Sequence, residues 1–381
     1  PQDQEARLHR HKIPAAMAYA RVNRLNHEVL PKTSRSKIGI VTTGKSYSDT
    51  IQALDELGIS PDDADRMGLC LFKIGMPWPL EPSGIRAFAD DLTQIIVIEE
   101  KRGLIEEQLR SILYSAPKRP DVVGKKDEEG NVLFPSEGAL DPVMVAEMIA
   151  KRLGALSSEN ASILAKAQKD IAEKKAPKLT VSDTRRTPYF CAGCPHSTST
   201  KLPEGSRGYA GIGCHYMSQF MNRGVDGYTH MGGEGANWLG EARFSTREHM
   251  FQNIGDGTYN HSGIMSIRAS AIAGTNVTYK VLNNDAVALT GGQALEGGLD
   301  SKKIASEVLA AGAQKVVLVT DDPKRHTGDN APPNGVEVIH RDNLIPTQQR
   351  LAKIKGVTAL VYEQTCAAEK RRRRKRGTFP D

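Results

Sequence analysis

The 381 residues carry 51 Lys+Arg against 45 Asp+Glu and are 39% apolar, a size and composition that bury sizeable cores and divide into two or three domains. Seven of the cations stand in one run, 370–376, so the formal charge of +6 is local, which excludes a distributed basic face for nucleic acid or membrane. No apolar stretch approaches the about eighteen residues that span a bilayer, residues 1–12 hold no signal-peptide core, and five cysteines are too few and too uneven for a disulfide framework; a cytoplasmic setting is expected.

Residues 1–30 are polar with helical periodicity (Ala15, Ala16, Tyr19, Val22) and read as the helical tail of a preceding domain. From Lys37 the pattern becomes βαβα. Strands are expected at 38–41, 69–74 and 95–98, and helices at 46–57, 82–89 and 104–113. That alternation implies a parallel sheet covered on both faces, over 31–120. Residues 115–140 are rich in charge, Gly and Pro and read as a linker; helices follow at 142–153 and 158–172, within a connecting segment 121–188. A second domain spans 189–370, Gly-rich to Gly298 and then βαβ-like, with helices at 302–311 and 343–354 and strands at 315–319 and 359–362. Residues 371–381 read as a basic linker to a further domain, and the chain as an internal piece of a longer polypeptide.

Gly39-Ile-Val-Thr-Thr-Gly44-Lys45-Ser46 matches the P-loop pattern. A phosphate loop needs its first glycine after the strand, whereas Gly39 falls inside the apolar run, so nucleotide hydrolysis is disfavoured. Cys191-Ala-Gly-Cys194-Pro-His196 is a C-x-x-C in a poor helix-opening context, with Cys214-His215 twenty residues on. Three cysteines with His196 or His215 would close a zinc site. An iron–sulfur cluster needs a fourth thiolate, and Cys366, at the end of the last strand, is the one available. Cys214 and Cys366 as ordinary buried residues is the bland alternative.

Asn253-Ile-Gly255-Asp256-Gly257-Thr258 and Val281-Leu-Asn283-Asn284-Asp285 form a strand–loop–helix–strand unit. Two parallel strands would bring Asp256 and Asn284 to neighbouring carboxyl ends, as hard oxygen ligands for Mg²⁺, with a helix N-terminus after Gly257 for a diphosphate. G-D-G with N-N twenty-eight residues after the Asp is fairly specific for thiamine diphosphate binding. The glycine clusters Met231-Gly-Gly233-Glu234-Gly235 and Leu289-Thr-Gly-Gly-Gln293 allow close backbone approach, which makes Gly233 and Glu234 cofactor candidates beside Gly255, Thr258 and Asn283. Among His230, His249 and His261, the last is best placed for proton transfer, five residues after Asp256. The basic run could serve as an anionic-patch reader, a docking surface or a solvated linker.

These segments, with Gly211-Ile-Gly-Cys214, Gly75-Met-Pro-Trp-Pro-Leu-Glu-Pro82 and Tyr362-Glu-Gln-Thr-Cys366, resemble the 2-oxoacid:ferredoxin oxidoreductases, specifically the long single-chain indolepyruvate:ferredoxin oxidoreductases. The resemblance implies an α/β fold of two parallel-sheet domains, one transketolase C-terminal-like and one thiamine-diphosphate-binding. It also implies that Asp256, Asn284 and the Ala286 carbonyl hold Mg²⁺, and that Cys191, Cys194, Cys214 and Cys366 hold a [4Fe–4S] cluster. The implied reaction is oxidative decarboxylation of an arylpyruvate, with coenzyme A taking the acyl group and ferredoxin the electrons. The pyrimidine-binding, ferredoxin-type and gamma-type domains of that family have no counterpart in the sequence, so the chain is expected to be inactive alone and to act within a homo-oligomer. A non-oxidative thiamine diphosphate decarboxylase or synthase is the alternative; a zinc-bearing nucleic-acid module and a P-loop ATPase stand further off.

Overall fold

The computed structural model describes residues 1–175, 187–294, 297 and 299–379. The chain divides into two compact units, Pro1–Asp183 and Thr184–Asp381. Among the described residues no helix is long and apolar enough to cross a membrane.

The first unit opens with helix Gln2–Arg7, a wider-wound turn Leu8–Lys12 and helix Ile13–Val22. Its sheet holds β1 (His27–Leu30), β2 (Ile38–Thr43), β3 (Leu69–Ile74), β4 (Gln94–Ile98) and β5 (Asp121–Val123) in the order β1-β3-β2-β4-β5. The helices are α1 (Gly44–Glu56), α2 (Pro61–Arg66), α3 (Pro82–Ala89), α4 (Leu104–Leu113), α5 (Pro142–Leu156) and α6 (Ser158–Lys175). Alternation along β2 explains the layering. Ile38 and Ile40 join one core with Ala53 of α1 and Val145 and Ile149 of α5, while Val41 joins the opposite core with Phe88 of α3 and Leu109 of α4.

Three readings change here. Residues 27–30, assigned to a helical tail, form β1, which pairs antiparallel to β3, so this sheet is parallel only from β3 to β5. A short, polar edge strand carries too little alternation to be seen in sequence. The stretch 115–140 contributes β5, hydrogen-bonded in parallel to β4. Helix α5, placed in a connecting segment, covers one face of the sheet. The P-loop match fails structurally as well: Gly39 lies within β2, and the Lys45 ammonium is taken by Asp49 at 2.6 Å, Glu100 at 3.3 Å and the Leu140 carbonyl at 3.1 Å.

The second unit is built on seven strands: β6 (Gly208–Ala210), β7 (Val225–Tyr228), β8 (Met250–Gly255), β9 (Val277–Asn283), β10 (Lys315–Thr320), β11 (Glu337–His340) and β12 (Val357–Glu363). Their order is β11-β10-β12-β9-β8-β6-β7, and every pairing is parallel. Helices α7 (His196–Ser199), α8 (Ala236–Glu241), α9 (Ile264–Ile272), α10 (Ser301–Ala310), α11 (Leu344–Leu351) and α12 (Ala367–Lys375) complete it. Central β9 is buried at every residue, as a strand covered on both faces must be. Its Val277, Tyr279 and Val281 pack with Ile267 of α9 and Ile304 of α10; Leu282 packs with Leu344 and Leu351 of α11. The basic run is not a linker throughout: it is helical to Lys375, as α12. Residues 176–186, toward the end of the connecting segment 121–188, lie outside the described residues.

Candidate functional site

Parallel pairing of β8 and β9, with Gly255 opposite Leu282, delivers Asp256 and Asn284 together at the carboxyl edge of the sheet, where open α/β sheets form their sites. Asp256 opens a helical turn (Asp256–Thr258) that leads through Tyr259–Gly263 into α9. Its carboxylate accepts the Gly257 N–H at 2.8 Å through Oδ1 and the Asn284 N–H at 2.9 Å through Oδ2. Burial pushes the Asp256 carboxyl up to about 6, against the backbone amides of Asn284, Gly257 and Asp285 that favour its charge. Each carboxylate oxygen still has a free lone pair for a ligand.

Asn284 is held in turn. Its Oδ1 accepts the Ala286 N–H at 3.2 Å, and its Nδ2 lies 3.5 Å from His196 Nε2. The turn between them passes through Asp285 at φ +61, a left-handed conformation that costs a non-glycine residue energy and marks a constrained site. Arg373 of α12 braces that turn, pairing with the Asp285 carboxylate and donating to its carbonyl at 3.1 Å. Arg372 donates to the Gly291 carbonyl and Arg371 to the Ala192 carbonyl, each at 2.8 Å. The basic helix therefore ties the Asp285–Gly291 loop to the cysteine loop.

Asp256, Gly255, Gly257, Thr258, Asn284 and Ala286 line one cavity of about 100 Å³ with Cys214, His196, His215, Met231 and the loop through Thr290. Among the described residues its wall has no Lys or Arg. Two histidines on the wall did not stand out in the sequence except as alternative zinc ligands. His196 and His215 are each 2% exposed, and their rings are 5.7 Å apart. Burial lowers His196 to about 4 and His215, with its neighbour's help, to about 3, so both are neutral at pH 7. The Cys-Pro-His and Cys-His pairings carried that signal.

Other candidates stand elsewhere. Asn283, one residue from Asn284 on a pleated strand, turns to a separate cavity of about 550 Å³ shared with Ser301, Arg325 and Glu363. Gly233 and Glu234 lie behind the wall, with Glu234 fully buried and its Oε2 accepting the Gly232 N–H at 2.7 Å. His261 is solvent-exposed and bonded to the adjacent Ser262 hydroxyl at 2.6 Å, outside the cavity lining.

Of the cysteines, Cys191 is exposed and Cys194, Cys214 and Cys366 are half-buried. Burial raises the Cys194 thiol to about 11, and the charges of Cys366, Cys214 and Cys191 add to the rise; Cys214 is raised in the same way by burial, Cys366 and Cys191. The four thiols thus share one electrostatic neighbourhood. They do not close on a common point: among the described residues no three His, Cys, Asp or Glu side chains meet at metal-holding distance. Cys70 is a core residue of β3, its thiol raised to about 12 by burial.

Residues 28–177 match the indolepyruvate oxidoreductase domain, and residues 211–324 the C-terminal TPP-binding domain of thiamine pyrophosphate enzymes. The first match runs across the segment read as a linker with helices, as one domain. The indolepyruvate oxidoreductase subunit IorA of Thermococcus kodakarensis is 24% identical over 360 residues, covering 88% of this chain and 50% of the relative. That of Archaeoglobus fulgidus is 26% identical over 359 residues, covering 89% and 50%. The chain spans about half the length of the curated relatives it matches. Among solved structures, a 2-oxoglutarate:ferredoxin oxidoreductase from Magnetococcus marinus aligns at 17% identity with a TM-score of 0.36, over 54% of this chain and 72% of that one. The chain is thus a relative of the indolepyruvate oxidoreductases that carries, in order, an indolepyruvate oxidoreductase domain and a thiamine pyrophosphate-binding domain.

Proposed function

We propose that this chain supplies the diphosphate-and-Mg²⁺ half of a thiamine diphosphate site, together with a [4Fe–4S] cysteine set, to a cytoplasmic enzyme that oxidatively decarboxylates aryl 2-oxoacids such as indolepyruvate. Electrons would leave to ferredoxin and the acyl group to coenzyme A. The observation that carries the reading is the clasp of the buried Asp256 carboxylate by the Asn284 N–H at the ends of adjacent parallel strands. The donor set fits a hard divalent cation: one carboxylate, one side-chain amide and the Ala286 carbonyl, on a wall without cationic side chains.

Within that reading Asp256 and Asn284 hold Mg²⁺, and the Gly257 and Thr258 backbone at the start of the helical turn receives the diphosphate. Gly255 leaves room for the close approach. Bound thiamine diphosphate supplies the carbanion chemistry that releases CO₂ from a 2-oxoacid. Val287, Leu289 and Met231 give the cavity its apolar side. Cys191, Cys194, Cys214 and Cys366 are soft donors of the kind an iron–sulfur cluster takes, and Cys214 lines that cavity. His261, the sequence's candidate for proton transfer, is exposed and lies outside this cavity's lining. The pyrimidine-binding, ferredoxin-type and gamma-type domains would come from the rest of the enzyme, in a homo-oligomer.

Calorimetric titration of the chain with thiamine diphosphate tests the reading. Binding that requires Mg²⁺ is the expected result; binding indifferent to Mg²⁺, or none, overturns it. The non-oxidative decarboxylase or synthase shares the Mg²⁺ result and parts from this reading on iron and sulfide content.

A further inference from the structure

We propose that the cavity of about 550 Å³ lined by Asn283 binds a hydroxyl-bearing phosphate ester, of the sugar phosphate or nucleotide class, with its phosphate at the start of α10 and its hydroxyls on Glu363 and His326. The cavity stands at the carboxyl edge of the second sheet, where parallel strands form sites. Register sets Glu363, the last residue of β12, beside Asn283 of β9 and Thr320 of β10. Asn283, Glu363, the start of α10 and the turn after β10 that carries Arg325 and His326 line one space together, with the volume of a small-molecule pocket. Its lining includes no cysteine and neither Asp256 nor Asn284, so the proposal stands apart from the function proposed above.

His326 is the observation that points to a ligand. Its side chain is only 7% exposed, and neither ring nitrogen has a hydrogen-bond partner. A buried polar group left in that state costs free energy that a ligand group recovers. The Nε2 edge lies 3.3 Å from Glu363 Oε2. A carboxylate there favours the ring proton on Nε2 and leaves Nδ1 to accept from a ligand hydroxyl. Glu363 Oε2 also accepts from the Ser301 hydroxyl, which leaves Oε1 as a further acceptor on the same wall.

The other pole of the cavity is cationic. Helix α10 is ten residues long, and its N-cap Asp300 accepts the Lys303 N–H at 2.9 Å. The N–H groups of Ser301 and Lys302, first in the helix, have no partner within it, and such an end suits a phosphate. The Lys302 ammonium reaches the Asp329 carbonyl at 3.3 Å and, among the described residues, pairs with no carboxylate. Arg325, paired with Asp321, adds a guanidinium to the lining. Arg373 and Asp285, also on this wall, pair with each other and cancel. A bare anion would leave the acceptors of Glu363 and His326 unmatched, and a polyol without phosphate would leave Lys302 unmatched. A ligand that joins hydroxyl to phosphate meets both.

The test is calorimetric titration of the 381-residue chain with ADP, ribose 5-phosphate and inorganic phosphate, in EDTA so that no Mg²⁺ draws a diphosphate to Asp256. Binding of ADP or ribose 5-phosphate with a Kd below about 1 mM is expected, at least about tenfold tighter than inorganic phosphate. The tighter of the two esters identifies the source, nucleotide or sugar phosphate. Lys302→Ala and Glu363→Ala are each expected to weaken that ester about tenfold. No binding of either ester, inorganic phosphate bound equally well, or an affinity unchanged in Lys302→Ala or in folded Glu363→Ala overturns the proposal. Lys302→Ala decides even if the Glu363 variant fails to fold, since the Lys302 side chain is half-buried and bonds a single carbonyl. Displacement of the ester by Mg²⁺–thiamine diphosphate would put it in the Asp256 cavity and overturn the proposal as well. Failure of thiamine diphosphate to bind sinks only the function proposed above.

Discussion

The Asn284 N–H donates to Asp256 Oδ2 at 2.9 Å, so two residues twenty-eight positions apart are joined at the edge of one sheet. The bond orients the Asp256 carboxylate and uses only part of its capacity, leaving both oxygens able to meet a cation. Asp256→Asn keeps an acceptor for that N–H and removes the charge. We expect the fold to persist, the relief of a buried charge being offset by an amide NH2 turned toward the Gly257 N–H, while Mg²⁺-dependent affinity for thiamine diphosphate falls at least about a hundredfold by calorimetry.

The same carboxyl sets a pH dependence. It sits at about 6 in the folded chain, and a cation competes with its proton. Affinity for Mg²⁺–thiamine diphosphate is therefore expected to be level above pH 7 and to fall by about tenfold per unit below about 6. In the folding balance the sign is opposite to that of a salt-bridged carboxylate. A carboxyl raised from 3.8 to about 6 costs stability as pH climbs through that window, since the folded state holds the proton more tightly. A profile of affinity flat down to pH 5 would remove Asp256 from the cation site.

Iron and sulfide analysis under anaerobic conditions addresses the thiols. We expect about four of each per chain, lost on Cys366→Ser. Zinc without sulfide, indifferent to Cys366, would leave a structural site made of three cysteines and a histidine.

Lys280 is fully buried on β9, donates to the Lys201 carbonyl at 3.0 Å, and is lowered to about 7 by burial, with the Arg223 charge adding to the fall. The unfolded chain holds this proton up to 10.5, so between about 7 and 10.5 the unfolded state binds more protons, and the stability contributed at this site rises with pH. Denaturant melts of wild type and Lys280→Met from pH 7 to 10 should converge as pH rises, the methionine variant being the more stable at pH 7. Parallel lines would show that Lys280 is not titrating there.

Arg373 touches both Asp285 and Glu369. The Asp285 side chain is 62% exposed, so screening holds the pair's share of global stability to about 0.5 kcal/mol or less. The effect of Arg373→Ala is expected to be local: faster amide hydrogen exchange over Asp285–Gly291, with the rest of the second unit unchanged.

Much of the fold was legible because glycine, proline and capping residues punctuate apolar runs. The strand 69–74 and the helices 82–89 and 104–113 coincide with β3, α3 and α4. Asp141 accepts from the Val143 N–H at the start of α5, next to Pro142, a start signal written in adjacent residues. What escaped were β1, β5, β6, β7 and β11, strands of three or four residues whose existence depends on a neighbour supplying hydrogen bonds. At the site, G-D-G and N-N were visible because each motif is contiguous. The divergence of Asn283 from Asn284 needs the strand's pleat, and the approach of both His215 and Glu234 to Gly211 needs the folded chain to bring distant segments together.

The last strand of the sheet ends in a peptide with two duties. The Cys366 N–H donates to the Asn284 carbonyl at 3.0 Å, so the segment that carries one of the thiols is pinned to the residue that shares the Asp256 clasp. The backbones of Cys366 and Asn284 are then coupled through one hydrogen bond just beyond the ends of two adjacent parallel strands, so the loop of the thiol and the loop of the amide do not shift independently.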